Sequence, residues 1–166
     1  MKQKIEAAYG FKVVVLPKVR IPEFSRVSEN RARFRADKLL KWQLQEKPDS
    51  ISYVLGIISQ DISTTKKDKN GKVKEPKWKY DDWGIFGLGY RPGKSAIIST
   101  YRLGNNQELK YERLDKIALH EIGHNLGLKH CSSEENCVMQ DAAETIKTVD
   151  RVLPMLCIEC SREITR

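Results

Sequence analysis

The sequence predicts an α/β (α+β) sandwich of strands and helices, with a small cap at its C-terminal end. Segments typical of strands and segments typical of helices alternate along residues 11–126, and no repeat is present. The 166 residues suffice for one domain with a sizeable core and are too few for two comfortable ones. The last 36 residues carry four cysteines, which can fasten a cap that is too short to fold alone.

Composition excludes a membrane-spanning, fibrous or disordered chain. Apolar residues make up 40% of the sequence and charged residues 31%. No apolar run approaches the roughly 20 residues that a membrane helix needs, so no membrane partner is expected. The first residues carry positive charge without an apolar stretch behind them, and we therefore expect no secretory signal there.

Three segments in the first part of the chain have strand or helix patterns. Phe11–Leu16 is an apolar run closed by a proline, which predicts a buried strand. Ser28–Asn30 offer N-cap chemistry for a helix over about Arg31–Gln45. Ser52–Ile58 is rich in β-branched residues and predicts a second strand. The inward face of the helix is expected to hold side chains at helical spacing, namely Ala32, Ala36, Leu39, Leu40 and either Gln43 or Leu44.

Gly84–Tyr90 predicts a strand that three glycines weaken, which suits a sheet edge where another backbone approaches closely. A peptide could pair with such an edge as an added strand, and an ordinary hairpin edge explains the pattern equally well. Ala96–Tyr101 predicts a further strand, Gly104–Asn106 a turn and Gln107–Leu126 a long helix. The candidate substrate-binding residues on the glycine-rich edge are Gly84, Ile85, Phe86, Gly87 and Leu88.

The chain is basic, with 30 Lys and Arg against 22 Asp and Glu and a net charge of +8. Seven lysines lie between Lys66 and Lys79, where the acidic residues are Asp68 and Glu75. Turn residues interrupt this segment, so a solvated loop is the favoured interpretation. A nucleic-acid patch is less favoured, because no binding motif or stacking pattern of aromatic residues accompanies the charge.

All three histidines and all four cysteines lie within the last 47 residues, as expected when side chains gather around metal ions. The spacing of His120 and His124 places both on one helix face, one turn apart. Glu121 lies beside that face, where it can hold a water without binding the ion. Gly127 can end the helix and let the chain bring His130 back. Three nitrogen ligands with one open position are typical of a catalytic zinc site.

The four cysteines form two pairs whose spacing matches a closed four-cysteine zinc site. Two disulfides in a secreted protein are the competing interpretation, and a thioredoxin-like redox role for the CxxC pair is weaker still. Metal binding is favoured because no signal peptide is visible and CxxC makes a poor structural bridge. The candidate ligands are Cys131, Cys137, Cys157 and Cys160.

The run from His120 to His130, HExxHxxGxxH, resembles the signature of the metzincin zinc metallopeptidases. The cysteine after the third histidine, then CxM, then seventeen residues and CxxC resemble the archaemetzincin family specifically. Five residues separate Cys131 and Cys137, where the family pattern has four, so the path of this loop departs from the pattern. The strand and helix order upstream also fits the family.

This resemblance implies a metzincin-like three-layer sandwich with a mixed twisted sheet, an antiparallel edge strand and an active-site helix. It implies a single catalytic domain over residues 1–166, divided into an N-terminal subdomain of residues 1–130 and a zinc-stapled C-terminal subdomain of residues 131–166. Two zinc ions (Zn²⁺) per chain are implied, a catalytic one on the three histidines and a structural one on the four cysteines. Glu121 is then the general base and acid, and Met139 is the Met-turn methionine beneath the catalytic zinc.

Together these residues predict a zinc-dependent metallopeptidase in which Glu121 assists the water that attacks a peptide bond. We expect a peptide or protein substrate and a monomer, and reduced cysteines favour the cytoplasm; endopeptidase and aminopeptidase activity are not distinguished. A non-catalytic zinc-binding protein of the same fold is the first alternative. A basic nucleic-acid-binding module with a four-cysteine zinc site is less favoured, because it gives no reason for a glutamate between the histidines.

Overall fold

Strands of two small sheets, and the helices that cover them, make up the fold. The computed structural model describes residues 1–29, 31–132, 136–141 and 145–164. The helices are α1 (Lys2–Tyr9), α2 (Ala36–Glu46), α3 (Lys77–Tyr80), α4 (Gln107–Asn125), α5 (Ile146–Arg151) and α6 (Ile158–Ile164). The strands are β1 (Arg26–Ser28), β2 (Arg31–Arg35), β3 (Val54–Ile58), β4 (Asp61–Thr64), β5 (Trp83–Ile85), β6 (Gly87–Gly89) and β7 (Ser95–Ser99).

Both sheets are mixed. The first has the strand order β1-β2-β4-β5, with a parallel β2–β4 pair between two antiparallel pairs. The second has the order β3-β7-β6, with β3 parallel and β6 antiparallel to β7. Strand β6 therefore forms an antiparallel edge, with Gly87 opposite Ile98 and Gly89 opposite Ala96. The predicted mixed α+β fold is confirmed, although the strands divide between two hydrogen-bonded sheets.

Strand β7 lies between two helices. Ile97 belongs to an apolar cluster with Leu39 and Leu40 of α2, whereas Ile98 belongs to a second cluster with Ile117 of α4. Because successive side chains of a strand point to opposite faces, the two helices cover opposite faces of this sheet. Helix α4, which carries the histidine motif, is thereby fixed against β6 and β7.

The predicted strand at Phe11–Leu16 is wrong. These residues have no strand assignment, and Val15 is 81% exposed. The segment is tied down locally, because the Val13 N–H donates to Glu6 and Phe11 stacks on Tyr53. An apolar run indicates β propensity, but a strand also needs a partner edge, and no described residue supplies one here.

The predicted helix at Arg31–Gln45 begins five residues late, at Ala36. Residues 31–35 form β2 instead, because they pair with β1 and β4 on either side. Ala32 is exposed, and of the two alternatives for the inward face Gln43 is buried while Leu44 is exposed. The predicted burial of Ala36, Leu39 and Leu40 is confirmed; of the proposed N-cap residues, Asn30 lies outside the described residues.

Three further predicted elements are present, with bounds shifted by at most two residues. Strands β3 and β7 match the segments predicted at 52–58 and 96–101, and α4 matches the helix predicted at 107–126. The side chain of Asn106 caps α4 by accepting from the Leu109 N–H at 3.0 Å. The sequence analysis missed several short elements, including α3 in the lysine-rich segment and α5 near the C-terminal end, because elements of four to six residues carry no clear periodicity.

No helix within the described ranges is both long and apolar enough to cross a lipid bilayer.

A buried carboxylate ties the first sheet to the loop that follows β7. Asp61 accepts hydrogen bonds from Arg33 at 2.8 Å and from Arg102 at 2.6 and 2.8 Å, and its side chain is 7% exposed. These charge-assisted bonds connect β2, β4 and the segment leading to α4. Removal of this carboxylate would leave Arg102 without a carboxylate partner, whereas Arg33 would keep its 2.9 Å contact with Asp82.

We expect Asp61→Ala to lower the free energy of unfolding by about 2 kcal/mol, because it leaves the partly buried Arg102 guanidinium without a carboxylate and removes one of the two carboxylates that hold Arg33. Denaturant unfolding of the zinc-loaded protein measures this change. Asp49→Ala is the control, since Asp49 is exposed and its removal should change stability by less than about 0.5 kcal/mol. Equal effects of the two substitutions would contradict the role of Asp61.

Candidate functional site

Helix α4 presents His120 and His124 one turn apart, with ring centroids separated by 4.5 Å. The Nδ1 of His120 lies 2.8 Å from the carbonyl oxygen of Val138, and the Nδ1 of His124 lies 2.8 Å from that of Leu128. A carbonyl oxygen can only accept, so each Nδ1 carries the hydrogen and each Nε2 keeps its lone pair. Both imidazoles are thus held in the tautomer that binds a metal ion through Nε2.

The chain turns back after α4 at Gly127, whose φ of 98° lies in the left-handed region that favours glycine. This turn brings the ring of His130 to 5.3 Å from that of His120 and 5.0 Å from that of His124. One ring nitrogen from each histidine lies within 4.8 Å of the other two. The three nitrogens can share one metal ion, as the helix break predicted.

The electrostatic environment keeps His120 and His124 neutral. Burial, with help from the neighbouring His124, lowers the pKa of His120 to about 3. Burial also lowers the pKa of His124, and the proximity of His130 and Arg91 adds to that effect. Neutral imidazole is the form that ligates metal ions, so the donor set fits a zinc ion without deprotonation of His120 or His124 at neutral pH.

Glu121 is almost fully buried, with 7% of its surface exposed. Burial raises the pKa of its carboxyl to about 8, although a hydrogen bond from the backbone of Gly89 acts in the opposite direction. A positive ion on the adjacent histidines would lower this pKa again. A carboxyl in such a place can take up and release a proton near neutral pH, which suits general acid–base chemistry.

Strand β6 lies directly against this carboxyl. A Cβ atom at Gly87 would come within 2.7 Å of the Glu121 Oε1, and one at Gly89 within 2.6 Å of the Glu121 carbonyl oxygen. The two glycines therefore allow the strand and α4 to approach more closely than any side chain would permit. The third glycine, Gly84, instead makes room for the guanidinium group of Arg102, which fills the space where a Cβ atom would lie.

The predicted edge strand is interrupted in the middle. Gly84 and Ile85 lie in β5 of the first sheet, Gly87 and Leu88 lie in β6 of the second, and Phe86 joins them. Ile85, Gly87 and Leu88 line a cleft that also contains the three histidines. Phe86 lines a smaller cavity beside this cleft, whereas Gly84 lines neither space.

Two connected spaces adjoin the histidines. The larger cleft, about 410 Å³, is walled by β5, β6, the histidines and Glu121, and by Thr64, Lys66, Trp83 and Arg91. The smaller cavity, about 60 Å³, lies beside His120 and Glu121. Its mostly apolar wall is formed by Ile85, Phe86, Ile117, Val138, Val149 and Val152 together with Lys116.

The sequence analysis missed four residues that line the larger cleft, namely Thr64, Lys66, Trp83 and Arg91. Only tertiary structure brings these residues to the histidines, although Trp83 and Arg91 directly flank the glycine-rich segment Gly84–Tyr90 in the sequence.

The four cysteines form a second cluster in which every sulfur lies within 4.8 Å of the others. The Sγ atoms of Cys131 and Cys157 are 3.7 Å apart, and those of Cys137 and Cys160 are 3.8 Å apart. A disulfide bond measures about 2.05 Å, so the sulfurs are not bonded to each other. Four sulfurs at about 2.3 Å from a central zinc ion would stand about 3.8 Å apart, so the cluster fits a tetrahedral zinc site.

Backbone N–H groups support the sulfurs. The N–H of Met139 points to the Cys137 Sγ at 3.5 Å, and that of Cys157 points to the same sulfur at 3.3 Å. Hydrogen bonds of this kind stabilise thiolate, the form that binds metal. The Cys137 sulfur, which is almost completely buried, is therefore surrounded by donors.

One turn, Cys137–Gln140, connects the two clusters. It is closed by the hydrogen bond from the Gln140 N–H to the Cys137 carbonyl at 3.0 Å. Cys137 belongs to the cysteine cluster, while the carbonyl of Val138 orients His120. Met139 is fully buried, and its sulfur packs so closely on α4 that a Cβ at Gly123 would collide with it. The turn thus packs directly against the helix that carries His120 and His124.

A sequence profile described as Peptidase family M54 matches residues 12–166 of this chain. The chain belongs to this family. The match contains both the histidine and the cysteine clusters, and it spans nearly all of the described fold.

Curated relatives of the family are archaemetzincins. The chain is 36% identical over 134 residues to the archaemetzincin of Nanoarchaeum equitans, a match that covers 81% of this chain and 64% of that protein. It is 44% identical over 81 residues to the archaemetzincin of Archaeoglobus fulgidus, covering 48% of this chain and 49% of that protein. The matched segment therefore spans between about half and two thirds of these relatives.

Solved structures of the family have the same fold. The crystal structure of archaemetzincin from Methanopyrus kandleri superposes with a TM-score of 0.79 at 28% identity, covering 99% of this chain and 82% of that chain. Archaemetzincin from Archaeoglobus fulgidus, crystallised with malonate, superposes with a TM-score of 0.71 at 28% identity, covering 97% of this chain and 90% of that chain. The M54 fold is thus present from one end of this chain to the other.

The depressed pKa of His120 can be measured directly, because the chain has only three histidines to follow by NMR. In protein freed of metal at the histidine site, the ring protons of His120 should not titrate between about pH 8 and 5, since its pKa lies near 3. Between about pH 6.5 and pH 3, His120 is protonated in the unfolded chain but stays neutral in the folded protein. The free energy of unfolding should therefore fall as the pH decreases through this range.

The His120→Gln variant assigns the non-titrating resonance, because that resonance is missing from its NMR spectrum. The same substitution should make the free energy of unfolding less dependent on pH, because the histidine that stays neutral only in the folded protein is gone. Titration of all three histidines near pH 6.5 would contradict the buried, neutral arrangement described above.

Proposed function

We propose that this chain is a zinc-dependent metallopeptidase that hydrolyses peptide bonds in the cleft beside β6. The observation that carries the proposal is the position of Glu121, buried next to three convergent histidine nitrogens and facing a cleft with a free sheet edge. A structural metal site has no need of a buried carboxyl that is not a ligand. Membership of Peptidase family M54 supports the same reaction class.

We propose that the chain holds two zinc ions. His120, His124 and His130 would hold the catalytic ion, with one position open to the cleft. A closed structural ion would be held by Cys131, Cys137, Cys157 and Cys160. Cys137 and Cys157 come from separate parts of the chain, so a shared ion would fasten α6 to the Met-turn.

The histidines, strand β6 and Glu121 then have different roles in the hydrolysis. A zinc ion on the histidines supplies Lewis acidity, which polarises a peptide carbonyl and favours attack by water. The free edge of β6 binds the substrate backbone as an added strand and holds the scissile carbonyl beside Glu121. Glu121 takes a proton from the attacking water as the new C–O bond forms, and then gives it to the amide nitrogen as the C–N bond breaks.

The small cavity offers a place for one substrate side chain next to the scissile bond. Its volume of about 60 Å³ and its mostly apolar wall suit a small aliphatic group. Phe86 and Val138 line it, so the candidate edge strand and the Met-turn would both contact that side chain.

We propose that residues 1–166 act as a single catalytic domain and a monomer, with the C-terminal subdomain of residues 131–166 fastened by the cysteine site. The two parts share one apolar cluster, in which Ile117 and Leu119 of α4 meet Val149 and Cys160. We also propose a cytoplasmic location, because four clustered thiols persist best in a reducing compartment.

Glu121→Gln tests the mechanism. We expect it to keep both zinc ions and to lower kcat for peptide cleavage by about 10²- to 10⁴-fold, because the amide cannot accept the proton. Cleavage of a peptide library and zinc content by elemental analysis are the measurements. Glu108→Gln is the matched control on the same helix, because Glu108 is exposed in its first turn.

Cleavage by the Glu121→Gln protein at the parent rate would contradict the proposed role of this residue. Zinc-loaded parent protein that cleaves no library peptide would instead favour a non-catalytic zinc-binding protein with the same fold.

A further inference from the structure

We propose that the loop of residues 67–79 (the basic loop) docks this protein on the surface of a lipid bilayer that contains anionic lipids. The Trp78 indole would enter the interface between water and acyl chains, and the surrounding lysines would lie against the headgroups. None of these residues lines the cleft or the smaller cavity, so the inference is independent of the proposed peptidase function. Docking at a surface needs no membrane-spanning helix, although the absence of an apolar spanning segment led us to expect no membrane partner from the sequence.

The basic loop is folded but almost entirely exposed to solvent. The N–H of Asp68 donates to the Lys72 carbonyl at 2.8 Å, and an antiparallel bridge joins Lys67 to Val73, so the first part of the loop is a hairpin. Helix α3 follows and carries Trp78. Every residue of the loop except Asp68 and Val73 is exposed. The backbone therefore holds the loop in shape while its side chains face solvent.

The loop carries a surplus of positive charge. It contains six lysines and two acidic residues, Asp68 and Glu75. The Asp68 carboxylate accepts from the N–H of Lys72 at 3.0 Å, and the Glu75 carboxylate accepts from the N–H of Lys77 at 3.0 Å. Within the described part of the chain, no carboxylate lies within 4.0 Å of the ammonium groups of four of these lysines, namely Lys67, Lys69, Lys72 and Lys74. These four cations can therefore bind an external anion.

Trp78 is the most exposed large apolar side chain among the described residues, at 82%. It lies on α3 between Lys77 and Lys79. So little of the indole is packed that it contributes almost nothing to the core. An indole between two lysines suits the bilayer interface, because its apolar body can enter the acyl region while the lysine stems keep their charges at the headgroups.

The neighbouring aromatic rings favour a bilayer over a nucleic acid as the partner. Tyr80 and Trp83 are half-buried and pack against each other, with ring centroids 5.2 Å apart. The Lys79 ammonium stands 5.3 Å from the centre of the Tyr80 ring and 5.7 Å from that of Trp83, so a cation already lies over these rings. Single-stranded nucleic acids stack on several exposed rings in succession, whereas the basic loop offers only the indole of Trp78. The loop also lacks arginine, the cation that suits phosphate and base recognition best.

The loop extends from one wall of the cleft. It lies between β4 and β5, and both the last residue of β4, Thr64, and the first residue of β5, Trp83, line the cleft. Docking of the basic loop would therefore hold the cleft close to the lipid surface.

Cosedimentation with sucrose-loaded vesicles tests the docking. The zinc-loaded parent protein is mixed at low salt with vesicles of phosphatidylcholine alone, or with vesicles in which about one third of the lipid is phosphatidylserine. We expect the partition coefficient to be about tenfold higher for the anionic vesicles. Added salt should lower it, because the attraction between lysines and headgroups is screened.

Two double variants of equal net charge separate the loop from charge elsewhere on the surface. Lys72→Gln/Lys74→Gln removes two cations of the loop, whereas Lys41→Gln/Lys147→Gln removes exposed lysines of α2 and α5. We expect the first variant to lower the partition coefficient onto anionic vesicles about tenfold, because its lysines lie near the headgroups. The second variant should lower it by less than about threefold, since it changes only the overall charge.

Tryptophan fluorescence tests insertion of the indole. The emission of the parent protein should shift to shorter wavelength on addition of anionic vesicles, because Trp78 leaves water while the half-buried Trp42 and Trp83 stay where they are. Trp78→Ala should abolish this shift and lower the partition coefficient about fivefold. Tyr111→Ala, which removes an exposed aromatic side chain of α4, is the control and should change neither.

Equal partition onto both kinds of vesicle, or equal effects of the two double variants, would overturn the proposal. An unchanged emission spectrum in the vesicle-bound protein would also overturn it, because Trp78 would still be in water. Release of the bound protein by a single-stranded RNA, at a phosphate concentration well below that of the phosphatidylserine, would overturn it in favour of nucleic acid. None of these measurements depends on peptide cleavage, so their outcome is separate from that of the Glu121→Gln test.

Discussion

The fold depends on one tight turn, Cys137–Gln140, which both side-chain clusters share. Cys137 contributes a sulfur to the cysteine cluster, and the Val138 carbonyl fixes the tautomer of His120. The Met139 carbonyl accepts from the Cys131 N–H at 2.8 Å, directly after His130 in the chain. The same turn therefore supplies a sulfur to one cluster and orients a histidine of the other.

The approach of β6 to α4 gives the site its chemistry. Gly87 and Gly89 let the strand lie against Glu121, and the resulting burial raises the pKa of that carboxyl into the range where proton transfer is useful. Among the described residues the same strand is the edge of its sheet, and it lines the cleft. Packing between two secondary-structure elements thus buries the proposed acid–base group and forms the surface on which we propose that a peptide binds.

Local patterns in the sequence predicted how the three histidines come together better than they predicted how the strands pair. The helix carrying His120 and His124, the break at Gly127 and the return of His130 follow from residue spacing and glycine conformation, which need no tertiary information. The apolar run at Phe11–Leu16 was a wrong strand prediction, because pairing depends on a distant partner. Residues 31–35 likewise joined a sheet instead of a helix, and Lys66 reaches the cleft only through the hairpin that β4 and β5 form.

Zinc content after breaking the shared turn tests the coupling of the two clusters most directly. We would compare zinc-loaded Cys137→Ser and His124→Ala proteins by elemental analysis under reducing conditions, with circular dichroism showing that helical content is retained. We expect His124→Ala to keep the cysteine-bound ion and Cys137→Ser to lose the ions at both clusters, because the turn that orients His120 is no longer held. A folded Cys137→Ser protein that keeps a zinc ion on its histidines would contradict this coupling of the two clusters.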